Sequence, residues 1–119
     1  MNCESIEYIL KRGEVGSRLE FTLTDRNGAV NMNGWTVTVT AKKGNDAPVI
    51  EDEPCILEAN QPTTGKGKGY YEFDATTSAI PAGLYNLEFK GVAPGGATHF
   101  FPKSRDPKYA RLLVIESLD

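Results

Sequence analysis

The sequence predicts an all-β domain, a sandwich of about seven to eight antiparallel strands. Short runs of residues alternate between apolar and polar side chains, which is the period of a half-buried strand. Segments rich in glycine, proline and asparagine separate these runs and favour turns. No stretch has the apolar period of a helix. A chain of 119 residues can bury one core, so we expect residues 1–119 to form a single domain.

The first half of the chain contains the clearest alternation. Residues 19–24 alternate apolar with polar side chains, and the Asn-Gly pair at 27–28 favours a tight turn. Residues 35–41 alternate again, so we expect Trp35 and every second residue after it to face inwards, with threonines facing solvent. Turn-forming residues fill 43–48.

The second half continues the same pattern. A weaker strand near 49–57 contains Pro54, which confines it to a sheet edge or a bulge. Aromatic and aliphatic residues then alternate with polar ones, or form short apolar runs, in four further predicted strands. In chain order these strands are 71–74, 85–89, a short one through 100–101, and 109–116.

Charge and hydropathy argue against several classes of partner. The chain carries 13 Lys and Arg against 16 Asp and Glu, a net charge of −3, whereas nucleic-acid-binding proteins present a strongly basic face. Glu4 and Glu7 interrupt the only candidate for a signal peptide, and no apolar run is long enough to span a bilayer. We therefore expect no nucleic acid and no membrane as partners, and synthesis in a cytoplasm.

The two cysteines agree with a reducing compartment. Cys3 and Cys55 form no CxxC or Cys/His cluster, so zinc and thioredoxin-type chemistry lack ligands. A disulfide between them is possible by count alone. In a chain that is not secreted we expect two reduced thiols and a fold without a disulfide.

No segment indicates a catalytic, metal or cofactor site, and we expect a protein that is not an enzyme. Residues 65–69, Gly-Lys-Gly-Lys-Gly, lack the Ser or Thr and the helix of a phosphate loop, so we interpret them as a flexible, solvated loop. His99, the only histidine, has no nucleophile motif nearby. Residues 25–28 lack the later Glu of a calcium loop. The acidic residues 51–53 are explained by a strand edge that carries charge against aggregation.

Four apolar residues follow the order of an immunoglobulin-like core. In that core two cysteines bridge the sheets, a Trp packs on them, and a Tyr lies two residues before the second cysteine. The corresponding residues of this chain are Phe21, Trp35, Tyr85 and Leu87. Apolar Phe21 and Leu87 take the place of the bridge, and Gly83-Leu84-Tyr85 would form a corner in which the tyrosine hydroxyl bonds to the backbone. The alternative is another small β-sandwich with aromatic core residues.

Five segments in sequence order carry a resemblance to a known family: 11–14, 19–28, 30–37, 69–73 and 82–89. Lys11-Arg12-Gly13-Glu14 is similar to a Lys-x-Gly-Asp opening, and 19–28 to a long strand that ends in an Asp-x-x-Gly turn. Residues 30–37 resemble a Val-Asp-Leu-Thr-Gly-Ala-x-Val segment. The chain thus resembles the immunoglobulin-like N-terminal domain of phage baseplate upper proteins and related tail-associated modules.

The resemblance implies a role in a bacteriophage virion that is assembled in the cytoplasm of the bacterial host. Its partners would be other virion proteins, in a symmetric assembly. The resemblance implies no catalytic residue. We therefore expect a tail or baseplate adaptor, a fibre base or a decoration protein.

Strand alternation also selects residues for contacts with partners. Neighbours on a strand face opposite sides, so two adjacent large apolar residues cannot both enter one core. Charged neighbours place Tyr70 and Leu84 on outer faces, while the pattern does not choose between Phe100 and Phe101. We expect Tyr70, Leu84 and one of the two phenylalanines to meet neighbouring subunits. If they gather with outward residues of the last strand, they form an apolar patch of the kind that marks a protein contact.

A local basic patch is the second set of contact candidates. Its members are Lys103, Arg105, Lys108 and Arg111. The patch is either a solvated hairpin tip or an electrostatic contact with an acidic neighbour.

A carbohydrate-binding module for attachment to a host surface is the alternative function. β-Sandwiches often bind sugars through exposed aromatic side chains. Tyr8, Tyr70 and Tyr109 are the candidate stacking platforms. Against this function, no cluster of aromatics recurs on one strand.

Overall fold

The fold is mostly β, which confirms the predicted class. The computed structural model describes residues 8–25, 28–101 and 110–116. A 3₁₀ turn, Thr77–Ala79, lies between β8 and β9, and the described residues include no α-helix. The strands in chain order are β1 (Tyr8–Lys11), β2 (Arg18–Thr22), β3 (Thr24–Asp25), β4 (Gly28–Ala29), β5 (Thr36–Lys42), β6 (Ile50–Pro54), β7 (Ile56–Leu57), β8 (Lys68–Glu72), β9 (Gly83–Val92), β10 (Thr98–Phe101) and β11 (Ala110–Ile115).

Two main sheets contain most of these strands. The larger sheet has six strands in the order β1-β11-β9-β5-β6, with β10 paired to the remaining length of β9. The smaller sheet has the order β2-β8-β7, and β3 and β4 form a separate hairpin. One pair departs from the expected antiparallel arrangement, because β1 runs parallel to β11. A parallel pair needs a long crossover, and here the chain visits every other strand between β1 and β11.

The core lies between the two main sheets, in the manner of a β-sandwich. The ring of Phe21 on β2 meets the ring of Phe89 on β9, with centroids 4.7 Å apart, so the two sheets touch directly. Alternation assigns the inward faces correctly in β2, β5, β8 and β9. The buried apolar residues of these four strands are Leu19, Phe21, Val37, Val39, Ala41, Tyr71, Tyr85, Leu87 and Phe89.

Trp35 lies less deep than the sequence predicts. It precedes β5 and is half-buried, packed against the margin of the core rather than enclosed between the sheets. Its ring lies over Gly91 of β9, where an added Cβ would come within 2.9 Å of it. Trp35 and Gly91 therefore fit each other at this end of the sandwich, and any side chain at position 91 would displace the indole.

The 49–57 region shows both features that Pro54 predicts. Among the described strands β6 pairs with β5 alone and so forms an edge, and the register shifts between Val39 and Ala41 of β5. After Pro54 the chain leaves the larger sheet and joins the smaller one as β7. The backbone N–H of Cys55 donates to the Val37 carbonyl at 2.9 Å during this crossing. The single predicted strand is therefore two strands in different sheets.

The tyrosine corner predicted at Gly83-Leu84-Tyr85 is confirmed. The hydroxyl of Tyr85 donates a hydrogen bond of 2.6 Å to the carbonyl of Pro81, four residues earlier. Burial raises the pKa of the Tyr85 hydroxyl, so the group stays protonated and keeps its role as donor. The bond ties the start of β9 to the segment that brings the chain from the smaller sheet.

Gln61 organises the loop between β7 and β8. Its side-chain oxygen accepts from the N–H groups of Met32 (2.8 Å) and Gly67 (3.0 Å), and its amide donates to the Lys68 carbonyl at 2.9 Å. Gly67 has a φ of +74°, and a Cβ there would lie 2.5 Å from the carbonyl oxygen of Leu23. The expected solvated loop is therefore only partly right: Lys66 and Lys68 are exposed, but the glycines between and beside them are buried.

We expect Gln61→Ala to lower the free energy of unfolding by about 3 kcal/mol, because three hydrogen bonds are lost and buried N–H groups are left unpaired. Chemical denaturation measures this loss. Lys66→Ala changes an exposed residue of the same loop and should cost less than about 0.5 kcal/mol. Equal losses in the two variants would show that Gln61 does not organise the loop.

Asp74 should make stability depend on pH. One carboxylate oxygen accepts from the N–H of Thr77 (2.7 Å), the N–H of Thr76 (2.9 Å) and the Thr77 hydroxyl (3.0 Å). These bonds, above all the backbone bond from Thr77, lower the pKa of Asp74 below its ordinary 3.8. Since the folded pKa is the lower one, the carboxylate stabilises the fold above the ordinary value and loses this effect as the pH falls through the folded pKa.

Asp74→Ala should therefore melt at a lower temperature than the parent chain at pH 7, and the difference should shrink steadily below pH 4 or so. Thermal denaturation followed by circular dichroism at several pH values measures this. Asp46→Ala, at an exposed turn position, is the matched control. A difference that stays constant with pH would mean that the carboxylate charge does not matter.

Candidate contact surfaces

An apolar row crosses the outer face of the larger sheet. Ile9 of β1 lies opposite Leu113 of β11, and Leu113 lies opposite Leu84 of β9. Ile115 follows two positions after Leu113, on the same face. Ile9 is 64% exposed and Ile115 is 38% exposed, while Leu84 and Leu113 are half-buried. These four residues are called the apolar row below.

Three cationic side chains of the described residues lie beside this row. Lys11 lies opposite Ile115, and Arg111 lies two residues before Leu113 on β11. Lys42 is exposed at the end of β5 and lies opposite Asn86, the β9 position two residues after Leu84. Since successive residues on one face of a strand are about 7 Å apart, long basic side chains at these positions reach the row.

Two of the contact candidates, Phe100 and Phe101, face opposite sides of β10. Phe100 lies opposite the half-buried Lys90 and is 48% exposed, so it is the outward member of the pair. Phe101 lies opposite Phe89 and is 2% exposed. Of the two phenylalanines between which the sequence pattern does not choose, Phe100 is therefore the exposed one, and the ring of Phe101 is part of the core.

Tyr70, Leu84 and Phe100 do not gather into one patch. Phe100 lies level with Lys90, six residues along β9 from Leu84, which places it roughly 20 Å from the apolar row. Tyr70 is farther still, because it belongs to β8 and points outwards from the smaller sheet. Leu84 does join outward residues of the last strand, as expected, but without Tyr70 or Phe100.

Tyr70 has its own surroundings on the smaller sheet. The guanidinium carbon of Arg18 lies 4.1 Å from the centre of its ring, an arrangement typical of a cation–π contact. The same Arg18 forms an ion pair with Glu72 at 3.4 Å. Glu20 and Ile56 lie opposite Tyr70 on the two neighbouring strands. Tyr70 is half-buried as a result.

A groove of about 370 Å³ runs beside Tyr70. It brings Tyr70 together with Tyr8, two of the three tyrosines that the sequence selected as stacking platforms. The lining is otherwise mainly polar and contains both signs of charge. The other lining residues are Arg18, Glu20, Phe21, Thr22, Glu58, Lys68 and Gly69.

Several candidates lie outside the described residues. These are Cys3, Lys103, Arg105, Lys108 and Tyr109. The basic patch, the third tyrosine platform and the state of Cys3 therefore stay predictions. Arg111, the remaining member of the basic patch, is half-buried on β11.

Cys55 and His99 are two described residues that could act as a nucleophile or a base. Burial raises the pKa of the free Cys55 thiol to about 12, so the thiol is not activated as a nucleophile at neutral pH. The ring of His99 packs on Trp35, with centroids 5.2 Å apart. Across 8–25, 28–101 and 110–116, no three His, Cys, Asp or Glu residues cluster as metal ligands would. The same residues include no helix that is long and apolar enough to cross a membrane.

Sequence reasoning missed Ile9 and the groove. The run Tyr8-Ile9-Leu10 before Lys11 was a usable strand signal, but only its pairing with β11 reveals that Ile9 extends an apolar row. The groove depends on how β1, β2 and β8 meet, which no local pattern encodes.

No family model, curated protein or solved structure matches this chain.

Two leucines of β9 test the assignment of the sheet faces. Leu84 faces outwards and Leu87 is fully buried. Leu87→Ser should cost about 3–5 kcal/mol of unfolding free energy, as core truncations do. Leu84→Ser should cost only about 1 kcal/mol, because it removes partly exposed apolar area. Urea denaturation distinguishes these values, and the opposite order would mean that the faces are reversed.

Proposed function

We propose that the protein is a structural component of a bacteriophage particle and acts through protein–protein contacts. Its place would be that of a tail or baseplate adaptor, a fibre base or a decoration module. The five-segment resemblance supports the virion role. The observation that carries the contact role is the apolar row, since contiguous apolar surface on an otherwise polar face is characteristic of protein interaction sites.

We further propose that the sandwich is immunoglobulin-like. The order β2-β8-β7 corresponds to strands B-E-D of that fold, and β11-β9-β5-β6 corresponds to G-F-C-C′. The bond from Tyr85 to Pro81 is the tyrosine corner at the start of strand F. Phe21 and Leu87, which take the place of the usual disulfide, are both buried. An apolar core of this kind suits a particle that is assembled in a reducing cytoplasm.

Mass spectrometry of purified particles tests the virion role. We expect the chain in intact virions of the phage that encodes it, at a copy number that is a multiple of the symmetry of its site. Particles that lack the chain would contradict the proposal.

A pair of variants tests whether the apolar row attaches the protein to the particle. Leu84→Lys should leave the isolated domain folded by circular dichroism and should reduce its incorporation into particles. Ala97→Lys adds the same charge at an exposed turn and should be incorporated normally. Equal incorporation of the two variants would exclude the row as the attachment surface.

A carbohydrate-binding module is the second candidate, and the groove favours it. Tyr8 and Tyr70 line one concave surface together with charged groups that can bond sugar hydroxyls. One face of the Tyr70 ring already carries Arg18, which leaves less of it for stacking. A glycan array distinguishes the two functions: specific binding that Tyr70→Ala abolishes and Phe100→Ala preserves would support the module.

A further inference from the structure

The apolar row and its charged surroundings define the chemistry of what can cover it. Ile9 and Ile115 expose the most apolar area, and Lys11, Arg111 and Lys42 lie around the row. Glu116, which follows Ile115, is engaged in an ion pair with Arg12 at 3.6 Å. Glu88 lies four residues after Leu84 on β9, opposite Thr40 of β5. Among the described residues, the near surroundings of the row are therefore predominantly cationic.

A second copy of the chain is a poor occupant for this face. A two-fold dimer places the same patch of each subunit against the other. The cations beside the row would then face cations of the same set, and like charges at an interface cost free energy. The apolar row alone favours self-association, but its surroundings oppose it.

We propose that the apolar row binds a different protein of the particle, through an apolar strip that is flanked by Asp or Glu residues. This inference rests on the proposed function and adds the chemistry of the partner. Carboxylates beside the strip would pair with Lys11 and Lys42, while its apolar side chains would cover Ile9 and Leu113. Complementary charge around an apolar centre gives such a contact its specificity.

Photo-crosslinking in intact particles tests this proposal. The photoreactive amino acid p-benzoylphenylalanine replaces Ile9, which is exposed enough to accept it, and a matched control replaces Ala97 in the exposed turn between β9 and β10. Particles are irradiated, and the crosslinked peptides are sequenced by mass spectrometry. The expected product joins position 9 to another virion protein, at an apolar segment with acidic neighbours.

Charge reversal gives an independent readout in the same particles. The double change Lys11→Glu, Lys42→Glu should reduce the crosslink yield at position 9 by about threefold to tenfold, as expected for the loss of two partly exposed ion pairs. Lys66→Glu reverses an exposed charge in the β7–β8 loop and should leave the yield unchanged.

Each other outcome overturns the inference. A crosslink from position 9 to the same face of a second copy would show self-association. A captured segment with basic neighbours, or no crosslink at position 9 in particles that contain the chain, would refute the acidic partner. Particles without the chain would contradict the proposed function itself, and that result is read from the same mass spectra before any crosslink is considered.

Discussion

The direct contact between the two sheets is the constraint on which the rest of the structure depends. Cys55 is a free thiol and forms no bridge between the sheets. The distance between the sheets is therefore set by packing, above all by the contact of Phe21 with Phe89 and by the side chains around it. An apolar interior of this kind tolerates little error, because side chains are packed at the density of a crystal. Once the inward faces are determined, every second residue of each strand points outwards, and the contact surfaces follow from that alternation.

The sequence predicts the inward faces of the longer strands well and the strand partners poorly, for a physical reason. Alternation is a local property, and it identifies the inward faces at Leu19, Val37 and Leu87 without any knowledge of the fold. Pairing is a non-local property, so the parallel alignment of β1 with β11 and the crossing of the chain between sheets after Pro54 have no local signal. Phe100 and Phe101 could not be assigned because two adjacent aromatic residues satisfy either register equally.

Two further differences concern depth rather than direction. Periodicity places Trp35 on the inward face, but it cannot tell that the ring lies at the end of the sandwich, where it covers Gly91. Glycine-rich sequence indicates flexibility, yet Gly67 is buried because only a residue without a side chain fits against the Leu23 backbone.

The candidate surfaces were predicted residue by residue, but Leu84, Phe100 and Tyr70 lie apart because the geometry of the two sheets decides which outward residues are neighbours.

The parallel pairing of β1 with β11 has a mechanical consequence. Because the two strands run in the same direction, the chain enters this pair at Tyr8 and leaves it beyond Ile115 at the opposite end. A force that pulls residues 8 and 116 apart therefore acts along the strands and loads their hydrogen bonds together, in shear. In an antiparallel pair, the end of one strand lies beside the start of the other, so the same pull would break the hydrogen bonds one after another from that end. The parallel pair therefore resists a pull between residues 8 and 116 more strongly than an antiparallel pair of the same length would.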